Sequence, residues 1–172
     1  MLGLNQAGRV VRILMVDDDP HDIFLTKAAF RKLDLPFELT ALKSADDLMG
    51  YIRDNGVGDI DILLLDSNMH CTNGLQTLKM LQEYPHYEDL NVFMFSTFIN
   101  EADKQACLRA GARGAILKSS SLSQMKDVAK QIFQSLDAQK ISTAHWRAES
   151  RQAVPAFMLK TKQSKPAVSL AS

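Results

Sequence analysis

Cysteine is scarce in this chain of 172 residues, with two only, Cys71 and Cys107. Two thiols make no disulfide framework, and a chain of this length buries enough surface to fold without one. A reducing, cytoplasmic setting is expected. Long apolar runs are also missing. No stretch approaches the ~20 apolar residues of a membrane span, and the N-terminus has no signal-peptide core, so neither a membrane partner nor export is expected. Net charge is absent as well, since 20 basic residues face 20 acidic ones. That balance hides an asymmetry. From Gln139 to Ser172 six basic residues (Lys140, Arg147, Arg151, Lys160, Lys162, Lys165) meet the single Glu149, which makes the tail +5. Residues 1–138 keep 14 basic and 19 acidic side chains, or −5. A uniformly basic nucleic-acid surface is thereby excluded from the part that folds.

What is present suits a soluble globular domain: 46% of residues are apolar and 23% charged. Four short apolar runs stand out, Ile13–Val16, Ile62–Leu65, Val92–Phe95 and Ala115–Leu117. Continuous runs of this length fit parallel strands covered on both faces. A fifth run, Phe37–Ala41, alternates and reads as an edge strand with one wetter face. Helical signals follow each run. Asp19-Pro20 gives a cap and a proline at the first helical position. Ser44 caps a second helix with Asp46 and Asp47 in its first turn. Asn73–Gln76 and Ser121–Gln124 have capping-box spacing. Leu75, Leu78 and Leu81 share one helical face, as do Leu122, Met125, Ala129, Ile132, Phe133 and Leu136. Asn100–Ala110 is helical with a thin apolar stripe, ended by Gly111.

The order is βα repeated five times over residues 12–138, which predicts an α/β fold, a parallel sheet with helices on both faces. Residues 1–11 form an N-terminal extension. Residues 139–172 are expected to be a mobile basic tail, with Trp146 and Phe157-Met158-Leu159 as its apolar exceptions.

In such sheets ligands bind at the carboxyl ends of the strands, where strand order reverses. The first strand ends in Asp17-Asp18-Asp19, the third in Asp66, the fourth in Ser96-Thr97 and the fifth in Lys118. A lone aspartate after a strand is ordinarily a turn or cap residue, and Asp19 is accounted for in that way. Asp17, Asp18 and Asp66 remain. Carboxylates ~5 Å apart repel by roughly 3 kcal/mol at an effective dielectric of ~20, so the cluster calls for a cation. Carboxylates, a carbonyl and waters suit Mg²⁺, and Lys118 adds a further positive charge. Ion and ammonium together fit the task of neutralising phosphoryl oxygens while a carboxylate attacks phosphorus.

Residues 12–138 resemble the receiver domain of two-component response regulators. The resemblance is carried by Arg12–Pro20 (RILMVDDDP), Asp61–Met69 (DILLLDSNM) with Gly74, Phe95-Ser96-Thr97, and Gly111–Lys118 (GARGAILK). It implies a five-stranded flavodoxin-like sheet in the order 2-1-3-4-5. It implies that Asp66 accepts a phosphoryl group from a sensor histidine kinase or histidine phosphotransfer protein. Asp17, Asp18, Asp66 and the main-chain carbonyl of Asn68 would hold Mg²⁺ or Mn²⁺. Ser96 and Lys118, with Thr97 beside them, would meet the phosphoryl oxygens. Such a domain catalyses only its own phosphorylation and dephosphorylation. Its output is expected to be a protein contact or onward transfer of the phosphoryl group, because the 34 residues after Ala138 are too few for a winged-helix DNA-binding domain. Whether it pairs with a second copy is left open.

The sequence departs from the family pattern in three places. Ala115 stands where an aromatic switch residue is common. Lys118-Ser119 replaces Lys-Pro, which predicts a trans peptide, because a cis bond without proline costs ~2.5–4 kcal/mol. Met69-His70 and Asn73-Gly74 replace Met-Pro and Asp-Gly. Two rival readings use the same residues. A haloacid-dehalogenase-like phosphatase would use Asp17 and Asp19, but no acidic pair follows Lys118, and Asp66 is left unexplained. A phosphorylation-independent interaction module would be expected to lack one of the acidic pair, the acceptor or the lysine; all are present. His70-Cys71 has no second ligand pair at metal spacing and reads as loop. Phe93, Phe95 and Phe98 read as core and rim.

Overall fold

The computed structural model describes residues 10–33, 35–70 and 72–137, without the side chains of 135–137. Expectations for residues 1–9, Cys71, the Leu136 side chain and the basic tail with Trp146 lie outside these residues. The elements in chain order are β1 (Val11–Val16), α1 (Pro20–Arg31), β2 (Phe37–Leu42), α2 (Ala45–Asn55) and β3 (Ile62–Asp66). They continue with α3 (Gly74–Leu81), β4 (Val92–Ser96), α4 (Glu101–Arg109), β5 (Gly114–Leu117) and α5 (Leu122–Asp137). The strands pair in parallel in the order β2-β1-β3-β4-β5, as expected.

Side-chain caps start four of the helices. Asp19, Ser44, Asn73 and Asn100 accept from the main-chain N–H groups of His21, Asp47, Gln76 and Asp103 respectively. The capping-box spacing at Ser121–Gln124 is used differently. Gln124 Oε1 takes the Ser119 hydroxyl at 2.7 Å, and Ser119 Oγ accepts from Ser121 N–H at 3.1 Å. The residue after Lys118 thus secures the entry to α5. Gly111, at φ +92°, turns the chain out of α4. Among the described residues no peptide bond is cis, so Lys118–Ser119 is trans.

Alternation along the strands divides the interior in two. Ile13, Met15, Ile62, Leu64, Phe93, Phe95 and Ile116 face α1 and α5. Leu14, Val16, Leu63, Leu65, Met94 and Ala115 face α2, α3 and α4. Both faces of the three central strands are covered, which explains their continuous apolar runs. β2 lies at the edge and alternates in burial. Among the described residues no helix is long and apolar enough to cross a membrane.

Candidate functional site

The strand order reverses between β1 and β3, and the carboxyl ends of β1, β3, β4 and β5 form one rim. Val16 is in register with Leu65, so Asp17 and Asp66, the next residue on each strand, stand side by side. Ser96 is in register with Leu117, and Lys118 N–H donates to the Ser96 carbonyl at 2.7 Å. Parallel register alone therefore brings Asp17, Asp66, Ser96 and Lys118 to one place.

Asp17 is fully buried and Asp66 is 5% exposed. Oxygens of Asp17, Asp18 and Asp66 lie within 4.8 Å of one another. At that separation each pair of charges repels by ~3.5 kcal/mol at an effective dielectric of ~20. Lys118 Nζ answers part of this, at 2.7 Å from Asp17 Oδ2 and 3.2 Å from Asp66 Oδ1. It donates to Asp22 Oδ2 at 2.9 Å with proper hydrogen-bond geometry, whereas its contacts with Asp17 and Asp66 are ion pairs without it. The ammonium also lies 5.6 Å from the centroid of the Phe95 ring.

Burial pushes the Asp17 carboxyl above its ordinary pKa, against the contact with Lys118 and the Asp19 N–H that donates to Oδ1 at 3.0 Å. Burial alone would pull the Lys118 ammonium down, but the carboxylates of Asp17, Asp22 and Asp66 outweigh it and hold the pKa above the usual lysine value. The Asp18 side chain is one-fifth exposed and held by His70. The His70 main-chain N–H donates to Oδ2 at 2.7 Å, and ring Nδ1 meets the same oxygen. These contacts lower the Asp18 pKa and raise that of His70. One ammonium does not neutralise three clustered carboxylates. Their oxygens share a small volume and are hard donors, so the group fits a divalent ion such as Mg²⁺ or Mn²⁺.

The other predicted residues border this cluster. Asn68 N–H donates to Asp66 Oδ1 at 3.3 Å, which lays that stretch of main chain along the carboxylate. Ser96 is buried, but its hydroxyl turns along its own loop, donating to the Phe98 carbonyl at 2.5 Å and accepting from Phe98 N–H at 3.3 Å. Thr97 is exposed on that loop, and Phe98 is 72% exposed. Asp19 is exposed and serves as the cap that was expected. Behind Asp66, Gly74 N–H donates to the Ser67 carbonyl at 3.0 Å, and the two segments pass too closely for a side chain at position 74.

Two site residues escaped the sequence reading, Asp22 and His70. Asp22 looks like an ordinary acid in a first helical turn. Nothing in the sequence sets it apart from such an acid. His70 carries no sequence signal beyond its place four residues after Asp66.

A sequence model of the response regulator receiver domain matches residues 13–130. Among solved structures, the chain is similar to the phosphorylated cyanobacterial phytochrome response regulator RcpA, with 27% identity and a TM-score of 0.64 over 72% of this chain and 91% of that one. It is also similar to a response regulator receiver domain from Rhodospirillum rubrum, with 25% identity and a TM-score of 0.64 over 73% and 94%. The Mn²⁺-bound form of response regulator Rcp1 shares the fold, with 22% identity and a TM-score of 0.62 over 71% and 91%. No curated protein matches the chain.

Proposed function

The chain belongs to the response regulator receiver domain family, and from that premise we propose that it is a phosphorylation switch whose acceptor is Asp66. The observation that carries this reading is the setting of the Asp66 carboxylate. It ends β3 with Lys118 Nζ at 3.2 Å and oxygens of Asp17 and Asp18 within 4.8 Å. The phosphoryl donor is a sensor histidine kinase or a histidine phosphotransfer protein. An Asp66 oxygen forms the new bond to phosphorus as the donor's P–N bond breaks, and the leaving imidazole takes a proton. Asp17, Asp18, Asp66 and the main-chain carbonyl of Asn68 would hold Mg²⁺ or Mn²⁺. When bound, the ion neutralises phosphoryl oxygens as the carboxylate attacks. Lys118 supplies a second positive charge to those oxygens.

Ser96, with Thr97 beside it, is the hydroxyl donor to the phosphoryl group. To reach a phosphoryl oxygen Ser96 must give up the Phe98 carbonyl, so arrival of the group is felt in the loop of residues 96–100. With Ala115 buried in the sheet and no aromatic ring there, this loop carries the signal to a downstream protein or a second copy. The phosphatase rival asks for Asp19 in the site, and that side chain caps α1.

Intact-mass measurement after incubation with acetyl phosphate and Mg²⁺ tests the proposal. One phosphoryl group per chain is expected, and none in Asp66→Asn. Equal labelling of that variant overturns the acceptor assignment. A wild-type chain that takes no label returns the reading to an interaction module.

A further inference from the structure

We propose that Asp22 is a positioning residue that anchors Lys118 for the chemistry at Asp66. The inference rests on the phosphoacceptor reading above. An acid three residues into a helix is accounted for by the helix dipole alone, so the case depends on where this one is directed. Its side chain is four-fifths buried, and Oδ2 accepts from Lys118 Nζ at 2.9 Å across 96 residues of sequence. Of the three carboxylates around that ammonium, Asp22 is the one met with hydrogen-bond geometry.

Its place relative to the acidic cluster matters more. Asp17 and Asp66 belong to the carboxylate group with oxygens within 4.8 Å of one another, and Asp22 does not. A cation held by that group draws on the carboxylates of Asp17 and Asp66, which Lys118 also faces. Asp22 stays available to the lysine whether or not the cation is there. A lysine has a flexible four-carbon stem and a freely turning ammonium, so a site that needs its charge at one point must fix it from outside. Asp22 suits that task, because it sits on a helix whose start is set by the Asp19 cap and Pro20. Asp22 therefore holds Lys118 in place while its partners at the cluster change.

The test measures initial rates of labelling by acetyl phosphate at saturating Mg²⁺, on the full chain, by intact mass. The set is wild type, Asp22→Ala, Asp22→Asn, Lys118→Ala and the Asp22→Ala/Lys118→Ala pair, with circular dichroism and urea midpoints to check folding. Loss of one charge-assisted hydrogen bond at the reacting centre is expected to slow Asp22→Ala about tenfold. Asp22→Asn keeps an acceptor oxygen and should recover to within roughly threefold of wild type. In the Lys118→Ala background Asp22→Ala should cost nothing more, because it acts through the lysine. Three results overturn the proposal: Asp22→Ala as fast as wild type, Asp22→Asn as slow as Asp22→Ala, or the tenfold loss persisting without Lys118. A wild-type chain that takes no phosphoryl group is a different result, which removes the phosphoacceptor reading and this inference with it.

Discussion

The same substitution, glycine to alanine, is expected to move stability in opposite directions at positions 74 and 50. A Cβ on Gly74 would lie 2.4 Å from the Asp66 main-chain oxygen, 2.6 Å from Met94 Cε and 2.9 Å from Ser67 Cα. Comfortable contact is about 3.5 Å, so the main chain at Asp66 must yield by roughly 1 Å. The Met94 methyl can swing aside, but the two backbone atoms cannot. Overpacking of this kind costs ~1–3 kcal/mol, and the better helix propensity of alanine returns only ~0.5–1 of it. Gly50 lies inside α2, and a Cβ there meets nothing within 4 Å. Alanine at 50 should therefore stabilise by ~0.5–1 kcal/mol. Urea unfolding reads both. With an m-value of ~1–3 kcal/mol/M, Gly74→Ala should lower the midpoint by about 0.5–1 M and Gly50→Ala should raise it by a few tenths. Because the strain falls on Asp66 itself, Gly74→Ala should also slow phosphorylation, while Gly50→Ala should not. Two midpoints that rise together would refute the close approach behind Asp66.

Asp18→Ala is expected to abolish Mg²⁺-dependent labelling, while Asp19→Ala keeps it and loses ~1 kcal/mol of stability to the missing cap, both read by intact mass and urea midpoints. Equal loss of labelling in the two, with folding intact, would contradict the register of the triple aspartate. Beryllofluoride with Mg²⁺ should shift the amide resonances of residues 96–100 as Ser96 leaves the Phe98 carbonyl; shifts confined to the neighbours of Asp66 would count against that path. Tyr87→Phe should cost only ~0.5–1 kcal/mol at pH 7, because the Ala110 carbonyl it gives up is also met by Gln82 Nε2. Burial pushes the Tyr87 hydroxyl up to about 12 from an ordinary 10.0. Its raised pKa stabilises the fold below pH 10 and that contribution is lost as pH rises towards 12, so the wild-type urea midpoint should fall to, and then below, that of Tyr87→Phe over that window.

The fold was legible because each strand is an apolar run and four of the helices that follow begin with a polar cap. Ile62–Leu65 and Val92–Phe95 lie inside β3 and β4, which each extend one residue further, and Asp19, Ser44 and Asn73 cap the helices their sequence pattern predicts. The convergence of Asp17, Asp66, Ser96 and Lys118 followed from strand ends alone, since parallel strands finish on one rim. Side-chain direction was not legible. Nothing local distinguishes Asp22, aimed at a lysine 96 residues away, from Asp46 or Asp47 in a similar helical turn. His70 meets Asp18 because the chain after β3 folds back over the end of β1, and the turn that does so has no period to detect. The short helical turn at Tyr87–Asp89, entered through His86 at φ +62°, was likewise invisible, because a non-glycine residue gives little warning of a positive φ.

α4 has a single buried residue along its length, Cys107. A helix so lightly attached opens at a small fraction of the free energy of global unfolding, and its amides should exchange with solvent well before those of the central strands. The anchor is also a thiol, 5% exposed, with its pKa raised by burial and by the nearby Asp103. Reaction of Cys107 with a thiol reagent must therefore wait for α4 to lift, and at saturating reagent its rate, followed by peptide mapping, counts those openings. The protein carries its own clock for the excursions of the helix that follows the loop of residues 96–100.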